Sequence, residues 1–308
     1  MVVNSEEVLR DVLLAAIKEQ RARRRWNIFF RFLFLAVIAL LLAIFFSDNS
    51  PFSGKPQKFT AVVNVNGIIG PDQEASADKI VSGLDDAFKD TSTKGIVLRI
   101  NSPGGTPVQA SQVYNEIMRQ RALHPNIKVY AVCNDMCTSA AYYIASAADA
   151  IYANPSSLVG SIGVLMEGFG FTDAIQKLGV QRRLMISGDY KGFLDPFSPL
   201  KPQDVQMAQT MLDIVHEQFI RDVEKGRGAR LKVNQNTFSG LVFTGQQALS
   251  QGLIDGFGST GQVAREVIKA ERIEDFTVKS GLLGFFADRI GASFAHHLAA
   301  VMENPQLK

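Results

Sequence analysis

Apolar residues recur along this chain with two periods, and the pattern switches repeatedly between that of a strand and that of a helix. KFTAVVNVNG (58–67) predicts a strand. DQEASADKIVSGLDDAFKD (72–90) predicts a helix, with Ile80, Val81, Leu84, Ala87 and Phe88 on one stripe. KGIVLRIN (94–101) is a second strand, 106–122 a second helix and IKVYAVCND (127–135) a third strand. A helix is expected to start near Ser139, then a short strand at 150–154, a short helix at 172–179 and a strand over QRRLMIS (181–187). A long helix follows at 202–228, with Val205, Ala208, Leu212, Val215, Phe219 and Val223 near one face. Strands alternating with helices at this spacing predict an α/β fold with a mostly parallel sheet. No fixed-period repeat is visible.

The segment WNIFFRFLFLAVIALLLAIFF (26–46) departs from both patterns, being apolar on every side. From Ile28 to Phe46 it carries one charge, Arg31, near the end where the side chain can snorkel. About 20 apolar residues, rising 1.5 Å each, cross a hydrocarbon core of about 30 Å. The cluster RARRR directly precedes it. Basic residues stay cytoplasmic, so one transmembrane helix is expected, with 1–25 inside and the chain after Asp48 outside. The rival is a cleaved signal peptide, whose apolar core is shorter, about 7–15 residues. AIFFSDNS shows no A-x-A pattern.

Val8, Val12 and Ala15/Ala16 stand at helical spacing before the span. They suit an amphipathic helix on the inner leaflet or a solvated extension. Residues 47–57, with Pro51, Gly54 and Pro56, read as a linker to a domain over 58–276. The tail 277–308 carries an amphipathic stripe of Leu282/Leu283, Phe286, Ile290, Phe294, Leu298 and Val301. That stripe suits docking on the domain, on another subunit or on a membrane surface. Asp288, Arg289, His296 and His297 interrupt it too often for a second span.

With 308 residues, 46% of them hydrophobic, the chain can form one large domain or two small ones. A net charge of +2 gives no general case for nucleic acid. The basic excess is local: residues 1–31 hold seven Lys/Arg against four acids, a net +3 that leaves −1 elsewhere. Cys133 and Cys137 make no zinc set and read as small buried side chains.

The candidate chemistry centres on NDMCTSAAYY (134–143). Ser139 follows a strand and precedes a helix-forming run. It is a nucleophile at a helix N-terminus or an ordinary helix-start serine. INSPGGTPVQ (100–109) also leads from strand to helix through a glycine turn. Gly104 and Gly105 can present N–H groups to an oxyanion, a thioester or a phosphate. It is no P-loop, since no G-K-[ST] follows. A serine nucleophile needs a base. None of His124, His216, His296 and His297 follows Ser139 closely or sits at an evident strand end, so a Ser-His-Asp triad is poorly supported. A lysine in an apolar site loses its proton more readily and can act instead. Lys191, in MISGDYKGFLDPFSP (185–199), is flanked by Tyr190, Phe193 and Leu194; Lys201 lies in a polar, Pro-rich stretch.

Four segments in order, RINSPGG, MCTSAAYYIASAADAIYANPSSLVGSIGV, SGDYKGFLDPF and VFTGQQALSQGLID, resemble the signal peptide peptidase A (SppA-type) family of Ser/Lys proteases in its short, single-domain form. The likeness spans roughly 58–275. It implies a Clp protease/crotonase-like fold and assembly into a homo-oligomeric ring of four or eight. It also implies Ser139 as nucleophile, Lys191 as general base, Ser161 orienting the lysine, and an oxyanion hole from the N–H groups of Gly105 and Ala140 with Gly104 adjacent. No metal or organic cofactor is implied. Serine and lysine can belong to different subunits in this scheme. Two departures stand out. Ala140-Ala141 replace the Gly-Gly of many relatives, and Leu241 replaces an arginine. The expected substrates are signal peptides and other extended apolar peptides, cleaved outside a bacterial inner membrane to whose lipid the chain is anchored. An acyl-CoA enzyme using the glycine turn, and a non-catalytic scaffold, are the rival readings.

Overall fold

The computed structural model describes residues 5–47 and 57–278. Most of the expected linker and nearly all of the C-terminal tail fall outside these. The chain divides into two compact units, Met1–Gln57 and Lys58–Lys308. Within the first, residues 5–47 form one helix, α1 (Ser5–Ser47), so the described parts of the expected cytoplasmic segment and of the expected span are continuous. Glu19 and Arg23 pair across one turn at 2.8 Å. Among the described residues no helix is long and apolar enough to cross a membrane. The expected span runs past them, since the side chains of 40–46 lie outside the described residues.

In the second unit, β1 (Phe59–Asn66), β2 (Thr93–Ser102) and β3 (Lys128–Thr138) run parallel in adjacent register. Parallel strands need crossovers. These are α2 (Ala77–Lys89) and α3 (Pro107–Leu123). The sheet is completed by β4 (Ala150–Ala153), β5 (Leu158–Gly160), β6 (Val242–Thr244), β7 (Gly256–Phe257) and β8 (Ile273–Asp275). Its order is β6-β5-β3-β2-β1-β8, with β4 branching from β3 and β7 pairing with β4. Among the described residues only the β5–β6 pair is antiparallel. The expected mixed α/β fold with a mostly parallel sheet is thus present.

Side chains alternate across the strands as a sheet covered on both faces requires. Ala61, Val63, Val65, Ile96, Leu98 and Ile100 join the main core with α2, α3 and α4 (Ala140–Ser146). Val62, Val97 and Val132 point the other way, toward Val263 and Ile268 of a π-helical turn, Val263–Ile268. Strand β3 then does something its neighbours do not. Cys133 pairs with Ile100 but Cys137 with Ser102, so β3 carries two extra residues. Before this bulge β3 pairs with β4; after it, β3 pairs with β5. Asn101 bonds the looped residues, accepting from Met136 N–H and donating to Asp135, both at 3.2 Å.

Two expectations need correction. Residues 181–187 form no strand. They have no sheet neighbour to take up their N–H and C=O groups, and they belong to an arm, 164–201, in which no residue is buried. The short helix α5 (Thr172–Lys177) sits within this arm. The expected stripe on α6 (Pro202–Arg227) is buried only toward its C-terminal end, at Phe219 and Val223. Toward the N-terminal end Val205, Met211 and Ile214 are exposed.

Where α6 ends, Arg227 is fully buried and pairs with Asp255 through two nitrogens, at 2.8 and 2.9 Å. It also donates to the Gly252 carbonyl, so the ion pair ties α6 to the loop after α7 (Gly245–Ser250). Burial pushes the Asp255 carboxyl up, but the hydrogen bonds and charge of Arg227 outweigh that and hold it below its ordinary value. Its stabilisation is complete above the ordinary carboxylate pKa and is lost as pH falls through the lowered one. Arg227→Ala would strand a half-buried carboxylate. Urea denaturation of the full chain at neutral pH is expected to show a loss of about 3 kcal/mol, and the deficit should shrink in acid.

Candidate active site

Three strand ends meet at Ser139. Strand β3 stops at Thr138, and Ser139 adopts φ 55, ψ −126 before α4 begins. Positive φ is costly for a residue with a Cβ. Here it is over-determined: Ser139 N–H donates to Gly160 O at 2.8 Å, and Thr138 Oγ1 donates to Pro103 O at 2.9 Å. The Ser139 hydroxyl makes no hydrogen bond among the described residues and does not cap its own helix. All seven residues of α4 are buried, which fixes the direction of the turn.

The glycine turn at the end of β2 lies directly against this serine. A Cβ on Gly104 (φ +116) would come within 2.7 Å of Ser139 Cβ, and one on Gly105 within 1.9 Å of Ile69 O. Glycine is required at both positions by close approach. Gly105 N–H makes no hydrogen bond among the described residues, and Ala140 N–H, first in α4, has no partner inside its helix. Gly104 corrects the expectation: its N–H donates to Ser102 Oγ at 3.1 Å, which leaves Gly105 and Ala140 as donors.

The third strand end is that of β5. Ser161 follows it with φ 52. Its N–H donates to Leu241 O at 2.8 Å. The turn brings Ser161 to a cavity of about 690 Å³ that Ser139, Gly105 and Ala140 also line. Tyr143, Val215, Phe219 and Phe238 give this cavity an apolar wall. Tyr143 and Phe219 stack 4.6 Å apart, and Tyr143 donates to Asp222. Burial, then that bond, raises the Tyr143 pKa far out of the physiological range, so it acts here as a neutral wall. Among the described residues no cluster of three or more His, Cys, Asp or Glu could hold a metal ion.

Comparison with known proteins is consistent with this geometry. Residues 121–274 match the model of peptidase family S49. A putative protease of Synechocystis is 31% identical over 209 residues, covering 68% of this chain and 73% of that protein. The chain belongs to peptidase family S49. A putative signal peptide peptidase SppA of Enterococcus faecium is 26% identical over 253 residues, covering 79% of this chain and 73% of that one. A Brucella abortus protein named Na(+)/H(+) antiporter NhaA is 40% identical over 205 residues, 65% of this chain. This chain spans only 27% of that relative's length, and the transport in its name is said of that protein.

The S49 match contains Ser139, Ser161 and Lys191, but these three do not all meet within one chain. Lys191 is exposed on the arm and is absent from the lining of the Ser139 cavity. The desolvated setting expected for it is therefore not built by this chain alone. Cys137, two residues before Ser139, is no rival nucleophile. Burial and its neighbour Cys133 push its thiol well above the ordinary value, which leaves it protonated and inert.

One residue escaped the sequence reading. His216, set aside because it neither follows Ser139 closely nor sits at an evident strand end, lines the same cavity. The signal was its spacing three residues before the buried Phe219, which puts both on one side of α6. Substituting Gly104 with Ala would displace the serine without touching its hydroxyl. Gly104→Ala is expected to lower kcat by about 100-fold, measured beside a thermal melt that reports any loss of folding.

Proposed function

We propose that this chain is a membrane-anchored serine endopeptidase acting through Ser139 and Lys191. The supporting observation is Ser139 itself: a strained serine whose hydroxyl makes no hydrogen bond among the described residues, sharing a cavity with Gly105 and Ala140, whose N–H groups likewise have no partner among them. Membership of a peptidase family fits that chemistry. In this mechanism the neutral amine of Lys191 takes the proton of Ser139 Oγ. The oxygen attacks the peptide carbonyl, and the two N–H groups receive the oxyanion. Lys191 then passes the proton to the leaving amine, and water releases the acyl group by the reverse path. Ser161 orients the amine. His216 is a poor base through Nε2, because that nitrogen faces the Ile162 carbonyl at 3.1 Å and must carry a proton there.

The exposed arm supports homo-oligomer assembly as part of the same reading. Phe169, Met185 and Leu178 are 82, 93 and 77% exposed. Burying each such side chain is worth about 1.5–3 kcal/mol. A second subunit covering the arm would also give Lys191 the apolar surroundings that a neutral amine needs. The Clp protease/crotonase-like fold implied by the four motifs belongs to this reading too.

The helix over 26–46 supports anchoring, with the arginines at 23–25 on the cytoplasmic side and the peptidase domain outside a bacterial inner membrane. The cavity's apolar wall suits extended apolar peptides, and signal peptides left in the bilayer are the substrates closest to hand.

Both catalytic assignments are testable with a fluorogenic peptide of small apolar residues. Ser139→Ala and Lys191→Ala are each expected to lose at least about a thousand-fold in kcat. Full activity in either would refute its role. Mixing the two inactive chains should restore cleavage if the dyad spans two subunits. Topology is read by a reporter active only outside the cytoplasm, fused after residue 60. Signal is expected, and a silent fusion that is nonetheless produced would refute the orientation.

A further inference from the structure

We infer that His216 is a positioning residue for the serine site, acting through the turn that carries Ser161. This rests on the reading of Ser139 as nucleophile and extends it to a residue on a different element. His216 Nε2 lies 3.1 Å from Ile162 O. The same carbonyl accepts Gly240 N–H at 3.1 Å. A carbonyl oxygen only accepts, so the imidazole presents Nε2–H to it. Nδ1 has no hydrogen bond among the described residues.

The position of that carbonyl gives the contact its consequence. Ile162 directly follows Ser161, whose φ of 52 costs about 1–2 kcal/mol for a residue with a side chain. Such a conformation persists only where its surroundings over-determine it. Backbone bonds hold the turn from two directions: Ser161 N–H and Gly240 N–H join it to the loop at 240–241, and Gly160 O accepts Ser139 N–H. His216 adds a third anchor, a side chain from α6, which is fixed at its far end by the buried Arg227–Asp255 pair. Ser139 and Ser161 are joined through Gly160. A shift of the 160–162 turn therefore moves the nucleophile and the Ser161 hydroxyl together.

The ring is half-buried and forms part of the cavity surface. A wall residue that merely shapes substrate binding would act on KM. A residue that holds the turn would act on kcat, and a side chain with a donor in the same place would replace it. Glutamine places its amide nitrogen near the position of a histidine Nε2. Phenylalanine keeps the ring and removes the donor.

The full-length chain, in detergent or bilayer, is assayed with the fluorogenic peptide as His216→Gln and His216→Phe, alongside Ser139→Ala. The expected result is a kcat within about threefold of wild type for His216→Gln. For His216→Phe, kcat should fall about tenfold or more with KM little changed. If His216→Phe does not fold, as judged by its thermal melt, His216→Leu serves as the donor-free variant. Wild-type kcat in the donor-free variant, equal losses in the glutamine variant, or an effect confined to KM would each overturn the inference. The two readings fail separately. Activity in Ser139→Ala refutes the nucleophile, whereas an inactive Ser139→Ala beside a fully active His216→Phe refutes only the role of His216.

Discussion

On the side away from β2, strand β3 exchanges one neighbour for another, and the candidate site follows from how it changes partners. Two extra residues between Cys133 and Cys137 let the strand leave β4 and continue against β5 while keeping β2 on its other side. A bulge bends the strand that carries it and frees backbone groups that need new partners. Asn101 supplies some of these, and Ser157 takes up the carbonyls of Cys133 and Asn134. Unbulged pairing would carry Thr138 away from Gly160, and the turn at Ser161 would no longer lie beside the turn at Ser139.

The ends of β2, β3 and β5 share one further trait. Each chain reversal passes through positive φ, at Gly104, Ser139 and Ser161. Two of the three are serines, where such a conformation costs of order 1–3 kcal/mol. Nearby bonds offset that cost: Ser139 N–H to Gly160, Ser161 N–H to Leu241, Thr138 to Pro103 and His216 to Ile162. Strain held in this way leaves Ser139 Oγ outside the capping geometry of a helix-start serine. That geometry sets Ser139 apart from one of the two alternatives open at the level of sequence, the ordinary helix-start serine. An ordinary N-cap serine bonds back to its own helix; Ser139 does not.

The parts of the fold that were legible in the sequence are those whose signal is local. Buried valine- and isoleucine-rich runs gave β1, β2 and β3, and a one-sided stripe gave α2. The Pro-Gly-Gly turn was legible because only glycine tolerates the approach to Ser139 and Ile69. Long-range pairing was not. Strands β5 to β8 have two or three residues each, too few to show a period, and exist only because a neighbour is there. Residues 181–187 show the converse: an apolar stretch without a neighbour stays irregular. The N–H of Gly104 looked available because its sequence does not reveal that Ser102 Oγ folds back onto it. His216 was passed over for the same kind of reason. A helix brings a side chain to a site formed by distant strands only once the packing of Phe219 and Val223 has set its rotation.

The arm from 164 to 201 makes sense only against this background. The domain is well packed without it, yet the arm holds Phe171 on Phe197 at 5.5 Å and ties Arg182 to Asp195 at 3.2 Å. It therefore has internal order with no buried residue of its own. Exposed apolar surface this extensive is a mark of an interface. Lys191 lies on it, away from the serine it is proposed to serve. On the proposed mechanism the base must reach the Ser139 hydroxyl from an apolar site, and the arm of a single chain gives Lys191 neither the site nor the reach. Covering the arm with a second subunit would change both conditions together, removing water from the amine and bringing it to a serine.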